Sequence, residues 1–199
     1  MSVSPSPPSP TVTSHPDPPT AGRDRSADWD AGIPFEAFLP TAEKNAELWA
    51  GVWRRASVTP EHAERAAALG RWNLLTLSAD WCGDAVNIVP VLARLTEAAP
   101  NLQLRLLDRD EHLALMDEHL TGGTARAIPT VILLDEDGTE RAWWGPRPGP
   151  LQAWVKGEGQ TLDKSERYKH VRRFYARDHG RTTVEEILTL VEGAARLED

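Results

Sequence analysis

Between Trp72 and Trp144 the apolar residues fall into short runs whose period changes from one run to the next. Trp72–Ser78 (WNLLTLS) is a Leu-rich run bounded by Gly70 and Asp80, the pattern of a buried strand. In Asp84–Ala99, Ile88, Leu92, Leu95 and Ala99 recur at helical spacing. Leu102–Leu107 reads as a second strand. Strand, helix and strand with short joints predict a right-handed crossover and a parallel pair. A short helix over Glu111–Leu120 ends at Gly122-Gly123. Thr130–Leu134 and Thr139–Trp144 flank Asp135-Glu136-Asp137-Gly138, a hairpin signal. Trp143 and Trp144, adjacent on a strand, point to opposite faces, and both are expected in the core.

Helices are predicted on either side of this block. Trp49, Val52, Trp53 and Ala56 give Ala42–Ala56 one apolar face. Thr59-Pro60 supplies an N-cap and a first helical position for a helix to about Leu69, closed by Gly70. Leu151–Lys156 reads as a short helix. Thr183–Ala195 reads as the last one, with a face of Val184, Ile187, Leu188 and Val191 and a capping box in Thr183 and Glu186. A parallel crossover followed by an antiparallel hairpin gives an α/β architecture: a central mixed four-stranded sheet flanked by helices, with extra N-terminal helices.

The first twenty residues hold seven of the sixteen prolines, with Ser, Thr, Asp and His making up most of the rest. Such a segment cannot bury enough surface to offset its ordering entropy. Residues 1–27 are therefore read as a disordered Pro/Ser-rich tail and 28–199 as the folded domain. The tail's PxxP spacings fit polyproline II, but an uncommitted tail accounts for them. It has no basic start and no apolar h-region, so a cytoplasmic protein is expected. No apolar run approaches a membrane span. A net charge of −8 argues against nucleic-acid binding by the surface as a whole.

Cys82 is the single cysteine, which excludes an internal disulfide and a zinc site built on several thiolates. It stands in Asp80-Trp81-Cys82-Gly83-Asp84-Ala85, past the carboxyl end of the first strand and before a helix. Sites form at that edge of open α/β sheets. A helix N-terminus there stabilises a thiolate, and a reachable Cys82 reacting faster than free cysteine at neutral pH is expected; the alternative is a small buried hydrophobe. Asp84 either complements the helix dipole or hydrogen-bonds to the thiol. Its charge opposes thiolate formation, so helix and aspartate pull in opposite directions. Arg126-Ala127-Ile128-Pro129-Thr130 places a proline at the start of the third strand, where its missing N–H is tolerated.

Trp-Cys-Gly before a helix, Ile128-Pro129-Thr130 before a strand about 45 residues on, Pro90 inside the helix, Arg126 and Gly145 together resemble thioredoxin. The resemblance covers roughly residues 72–154. It implies a thioredoxin fold, a cis Pro129 facing the cysteine, and a shallow peptide groove around Trp81, Ile128, Pro129 and Gly145. The departures are equally informative. Ala85 stands at the second cysteine position, Asp84 at the usual proline, and Thr76 where the family has a buried aspartate. Trp-Cys-Gly-Asp-Ala is similar to a bacterial monothiol variant, in which the usual dithiol cycle cannot run. What this implies is monothiol thiol–disulfide exchange through Cys82, with Asp84 as the candidate assisting group and an external thiol resolving the mixed disulfide. The alternative is a non-catalytic module that holds a protein partner in the same groove. The substrate would be a protein or small-thiol disulfide. No cofactor is expected beyond a low-molecular-weight thiol as co-substrate.

Other clusters carry less. Asp108, Asp110, Glu111, His112 and His119 are read as a solvated face rather than a metal site. There is no P-loop, dinucleotide glycine fingerprint, Gly-x-Ser-x-Gly or zinc spacing. The stretch 159–181 is a basic insertion. Lys164–Arg181 interleaves Lys and Arg with Tyr168, Phe174 and Tyr175, and is read as an exposed helix whose aromatics pack on the domain, with binding of an anionic partner as the alternative.

Overall fold

The computed structural model describes residues 20–197. Four strands form one sheet: β1 (Trp72–Ser78), β2 (Leu102–Asp108), β3 (Thr130–Leu134) and β4 (Glu140–Trp144), in the order β2-β1-β3-β4. β1 pairs parallel with β2, from Trp72 opposite Leu102 to Ser78 opposite Asp108. It pairs antiparallel with β3, Leu77 lying opposite Thr130. The β3–β4 hairpin is antiparallel with a register shift at Leu133/Leu134. The central strands β1 and β3 are apolar on both faces, as strands covered on both sides must be. Leu74, Leu75, Leu77, Val131, Ile132, Leu133 and Leu134 are all fully buried.

The nine α-helices of the described residues are α1 (Ser26–Ala31), α2 (Phe35–Phe38), α3 (Ala46–Arg55), α4 (Pro60–Ala67), α5 (Gly83–Ala98), α6 (Leu113–Glu118), α7 (Gly149–Lys156), α8 (Lys164–Asp178) and α9 (Arg181–Ala195). α5, the crossover between β1 and β2, packs against α3, α4 and α9. It buries Ala85, Val86, Ile88, Val89, Leu92 and Leu95, and Pro90 sits inside it without ending it. Thr59 caps α4 by accepting from the His62 amide. Trp143 and Trp144 are both in the core. Among the described residues no helix is long and apolar enough to cross a membrane.

Three expectations change. The folded part begins before residue 28. The tail reading for residues 1–19 lies outside the described residues, but Thr20 and Arg25 are buried. Asp24 bridges to Thr139 beside β4, and Ile33 bridges to Leu106 of β2. The stretch 24–33, with α1 in its middle, thus covers both open edges of the sheet, whose unpaired backbone groups would otherwise be exposed.

The second change concerns His119, which is not on a solvated face. It is fully buried, with Nδ1 2.8 Å from the Leu115 carbonyl and Nε2 2.8 Å from Glu140 Oε1. Glu140 also accepts from Thr20 Oγ1 (2.5 Å) and Arg25 Nε (2.8 Å), and Arg25 pairs with Glu118. Burial alone would raise the Glu140 carboxyl, but His119, Thr20 and Arg25 outweigh it and hold it below the ordinary range.

Third, Thr183 and Glu186 form no capping box. Gly180, at φ +79°, is the N-cap, and α9 starts at Arg181, so Glu186 falls in the second turn and faces inward. It accepts from Trp144 Nε1 (2.7 Å) and from the Gly149 amide (2.8 Å).

Glu140→Ala would leave Arg25 and His119 buried without their carboxylate. A loss of about 3–5 kcal/mol is expected, read by denaturant unfolding at neutral pH. In the unsubstituted protein this contribution is complete above the pKa of an unfolded glutamate, about 4.3. It is lost as pH falls through the lower folded value, so the difference between the two proteins should shrink in acid.

Candidate functional site

The parallel pair β1–β2 ends at Ser78 and Asp108, and the chain turns from β1 into α5 through Ala79-Asp80-Trp81-Cys82. Asp80 anchors this turn. Its Oδ2 accepts from the amides of Glu43 (3.0 Å) and Lys44 (2.8 Å). Its carbonyl accepts from Asn45 Nδ2 (3.1 Å) and Trp49 Nε1 (2.9 Å). Trp49 is fully buried, so the N-terminal helices act as a brace for the cysteine turn.

Cys82 is the N-cap of α5. Its Sγ accepts from the Ala85 amide at 3.5 Å and donates to the Ile128 carbonyl at 3.3 Å. The residue is only 7% exposed. Burial pushes the thiol up; the Ala85 amide pulls it down, the Asp84 charge raises it further, and the Asp84 amide and Arg147 charge lower it without reversing the sign. The expectation of a readily reached thiol activated by the helix is thus corrected: loss of hydration outweighs the helix terminus.

The Ile128–Pro129 bond is cis, as is Gly145–Pro146. Ile128 is buried beside the sulfur. Gly145 has φ +141°, and a Cβ there would lie 2.3 Å from the Pro129 carbonyl oxygen. Glycine is required at that close approach. Trp81 is 40% exposed, with the Arg109 guanidinium 4.9 Å over its ring and its Nε1 donating to Asp110 Oδ2 (3.2 Å). Cys82 and Ile128 therefore meet directly, Gly145 packs on Pro129, and Trp81 stands at the open side of the turn.

The Asp84 carboxylate is directed to partners other than the Cys82 thiol. Its Oδ1 accepts from the Tyr175 hydroxyl (2.8 Å), and its Oδ2 pairs with Arg147 at 2.5 Å. Arg147 also donates to the Gln152 side chain (3.2 Å). Tyr175 is the buried residue of α8, whereas Tyr168 is half exposed and Phe174 partly buried. The basic insertion thus packs on the domain, with Val171 and Phe174 against the core and His170 stacked on Trp154, and its buried Tyr175 reaches the residue two positions after the cysteine. Arg147 and Tyr175 are site neighbours that sequence reasoning missed. Arg147 lies in Gly145-Pro146-Arg147-Pro148, between two prolines, and Tyr175 at a helical interval from Tyr168 and Val171; neither pattern names Asp84 as the partner. Thr76, at the position of the family's aspartate, is fully buried. Among the described residues no group of three or more His, Cys, Asp or Glu side chains converges as a metal site.

A family described as Thioredoxin matches residues 32–168. No curated protein matches the chain. Among solved structures, the chain is similar to a protein of unknown function from Pseudomonas aeruginosa. That match has a TM-score of 0.70 and 22% identity, covering 87% of this chain and 99% of the other. An HIV epitope-scaffold matches with a TM-score of 0.70 and 21% identity, over 87% of this chain and 100% of the other. At these identities the likeness is one of fold.

Gly145→Ala should destabilise the domain by about 1–3 kcal/mol, because the new methyl group meets backbone that cannot rotate away. A shift of the denaturant midpoint at unchanged slope would register it.

Proposed function

The chain belongs to the thioredoxin family, and we propose that it carries out monothiol thiol–disulfide exchange through Cys82, with the resolving thiol supplied from outside the chain. The observation that carries this reading is the placement of the only thiol in the sequence at the N-cap of α5, against the Ile128 carbonyl. Cys82 first loses its proton to solvent base. The thiolate Sγ then attacks one sulfur of a disulfide; a new S–S bond forms, the old one breaks, and the other sulfur leaves as a thiolate. An external thiolate attacks the mixed disulfide, releases Cys82 and takes the substrate sulfur into a new disulfide. Ala85, where a second thiol would stand, offers no internal route. Trp81, Ile128, Pro129 and Gly145 would hold an extended protein segment, or the arms of a small-thiol disulfide, largely through backbone contact.

One observation favours a second reading. A thiol that is buried and pushed up is suited to a module that grips a partner in the groove without chemistry. The two readings separate on the pH dependence of adduct formation. With glutathione disulfide as probe, exchange predicts a single adduct in the intact mass. Its rate should climb about tenfold per pH unit from pH 7 towards the raised thiol value. At pH 7 it should be slower than for a free cysteine peptide. Absence of an adduct between pH 7 and 10, with ready formation in denaturant, would refute exchange and leave the binding module.

Ala85→Cys should introduce an internal resolving thiol. It is expected to confer measurable reduction of a protein disulfide without added small thiol. Thr76 supplies no carboxylate to accept a proton, so this activity should stay well below that of a dithiol enzyme.

A further inference from the structure

Asp84 lies two residues after Cys82, in the first turn of the helix that the thiol caps. Its side chain is 11% exposed and Arg147's is 24%. Both charges therefore act through a medium less polar than water, where their influence on a neighbouring sulfur is strengthened. The cluster is built from three elements. Asp84 comes from α5, Arg147 from the turn between β4 and α7, and Tyr175 from α8. Arg147 is fixed by Gln152 and stands between Pro146 and Pro148, while Glu186 holds the same turn through the Gly149 amide. No segment of this assembly is free to turn away from the thiol independently of the others.

The charged and titratable groups facing Cys82 are these three: Asp84, Arg147 and Tyr175. Asp80, on the same turn, directs its carboxylate to the Glu43 and Lys44 amides instead. Asp110 and Arg109 engage Trp81.

We propose that the Asp84–Arg147 pair sets the reactivity of Cys82, Asp84 restraining it and Arg147 promoting it, with the Tyr175 hydroxyl of α8 holding Asp84 in register. This rests on the exchange reading above and adds its control: the basic insertion, through one buried tyrosine, is part of the thiol's electrostatic environment. The physical basis is that paired charges screen one another. Asp84 raises the thiol and Arg147 lowers it, and their opposite effects partly cancel. Removing one partner leaves the effect of the other without its counterweight. Asp84 and Arg147 are positioning residues in this scheme; neither forms or breaks a bond.

The test is the pH profile of Cys82 alkylation by iodoacetamide, a small neutral reagent that reads thiolate content without requiring disulfide exchange. Asp84→Asn should shift the profile to lower pH and raise the rate at pH 7 by about tenfold or more. Arg147→Gln should shift it the other way and slow the reaction, and Arg147→Lys, which keeps the charge, should restore most of it. Removing one member of a buried pair can unfold a protein. The double variant Asp84→Asn/Arg147→Gln, which leaves no charge unpaired, therefore accompanies the single ones. Because the two influences oppose one another, the double variant should lie closer to the unsubstituted profile than Asp84→Asn does. Loss of stability with an unmoved profile in Asp84→Asn, or a double variant displaced as far as Asp84→Asn, would overturn the proposal. A failed glutathione adduct with profiles that move as stated would refute exchange alone and leave the electrostatic assignment standing.

Discussion

The site exists because β1 is paired on both sides in opposite senses. Parallel pairing with β2 requires a crossover, so α5 must start at the carboxyl end of β1. Antiparallel pairing with β3 brings the start of β3 to that same end, with Thr130 opposite Leu77. The turn into α5 and the turn into β3 are therefore neighbours, and Cys82 and Ile128 meet across 46 residues of sequence. The β3–β4 hairpin then returns the chain to the same edge, which is why Gly145 packs on Pro129.

Two buried carboxylates, Glu140 and Glu186, and the partly buried Asp84 hold the periphery to this frame, and each ties together segments distant in sequence. Glu140 gathers Thr20, Arg25 and His119 at the sheet edge. Glu186 joins α9 to Trp144 and to the first residue of α7. Asp84 joins α5 to the β4–α7 turn and α8. A buried ionised group is tolerated only when its hydrogen-bonding capacity is filled. Each of the three links the central β-α-β-β unit to a segment outside it. The additions to the sheet are thus bound by polar as well as apolar contacts, which fixes their placement more narrowly than hydrophobic packing would.

The same distinction decides what could be read from the sequence. The strands and α5 follow from apolar period and turn residues, which are local signals, whereas the Cys82–Ile128–Pro129–Gly145 constellation is what the resemblance to thioredoxin implies. The partners of the buried carboxylates follow from no local signal. His119 sits in a run of acidic residues and carries no mark of its burial. Thr183 and Glu186 have capping-box spacing, yet a neighbouring indole N–H has the prior claim on Glu186. Thr20 and Arg25 lie directly after a proline-rich stretch whose composition hides where packing begins. The two early helices α1 and α2 are too short, at six and four residues, for periodicity to declare them.

The thiol shows the same contest between local and tertiary effects at a single atom. Its local setting, an N-cap with an amide 3.5 Å from sulfur, favours the thiolate. At that distance the bond is long, and a helix terminus is worth about 0.3–1 kcal/mol at exposed sites. Against it stand near-complete burial and a carboxylate two residues away. The Ile128 carbonyl adds a selective element, since it accepts the S–H hydrogen but can only repel a sulfur that has lost it. A ligand strand that moved this carbonyl, or engaged it with its own N–H, would remove an acceptor that stabilises the protonated thiol.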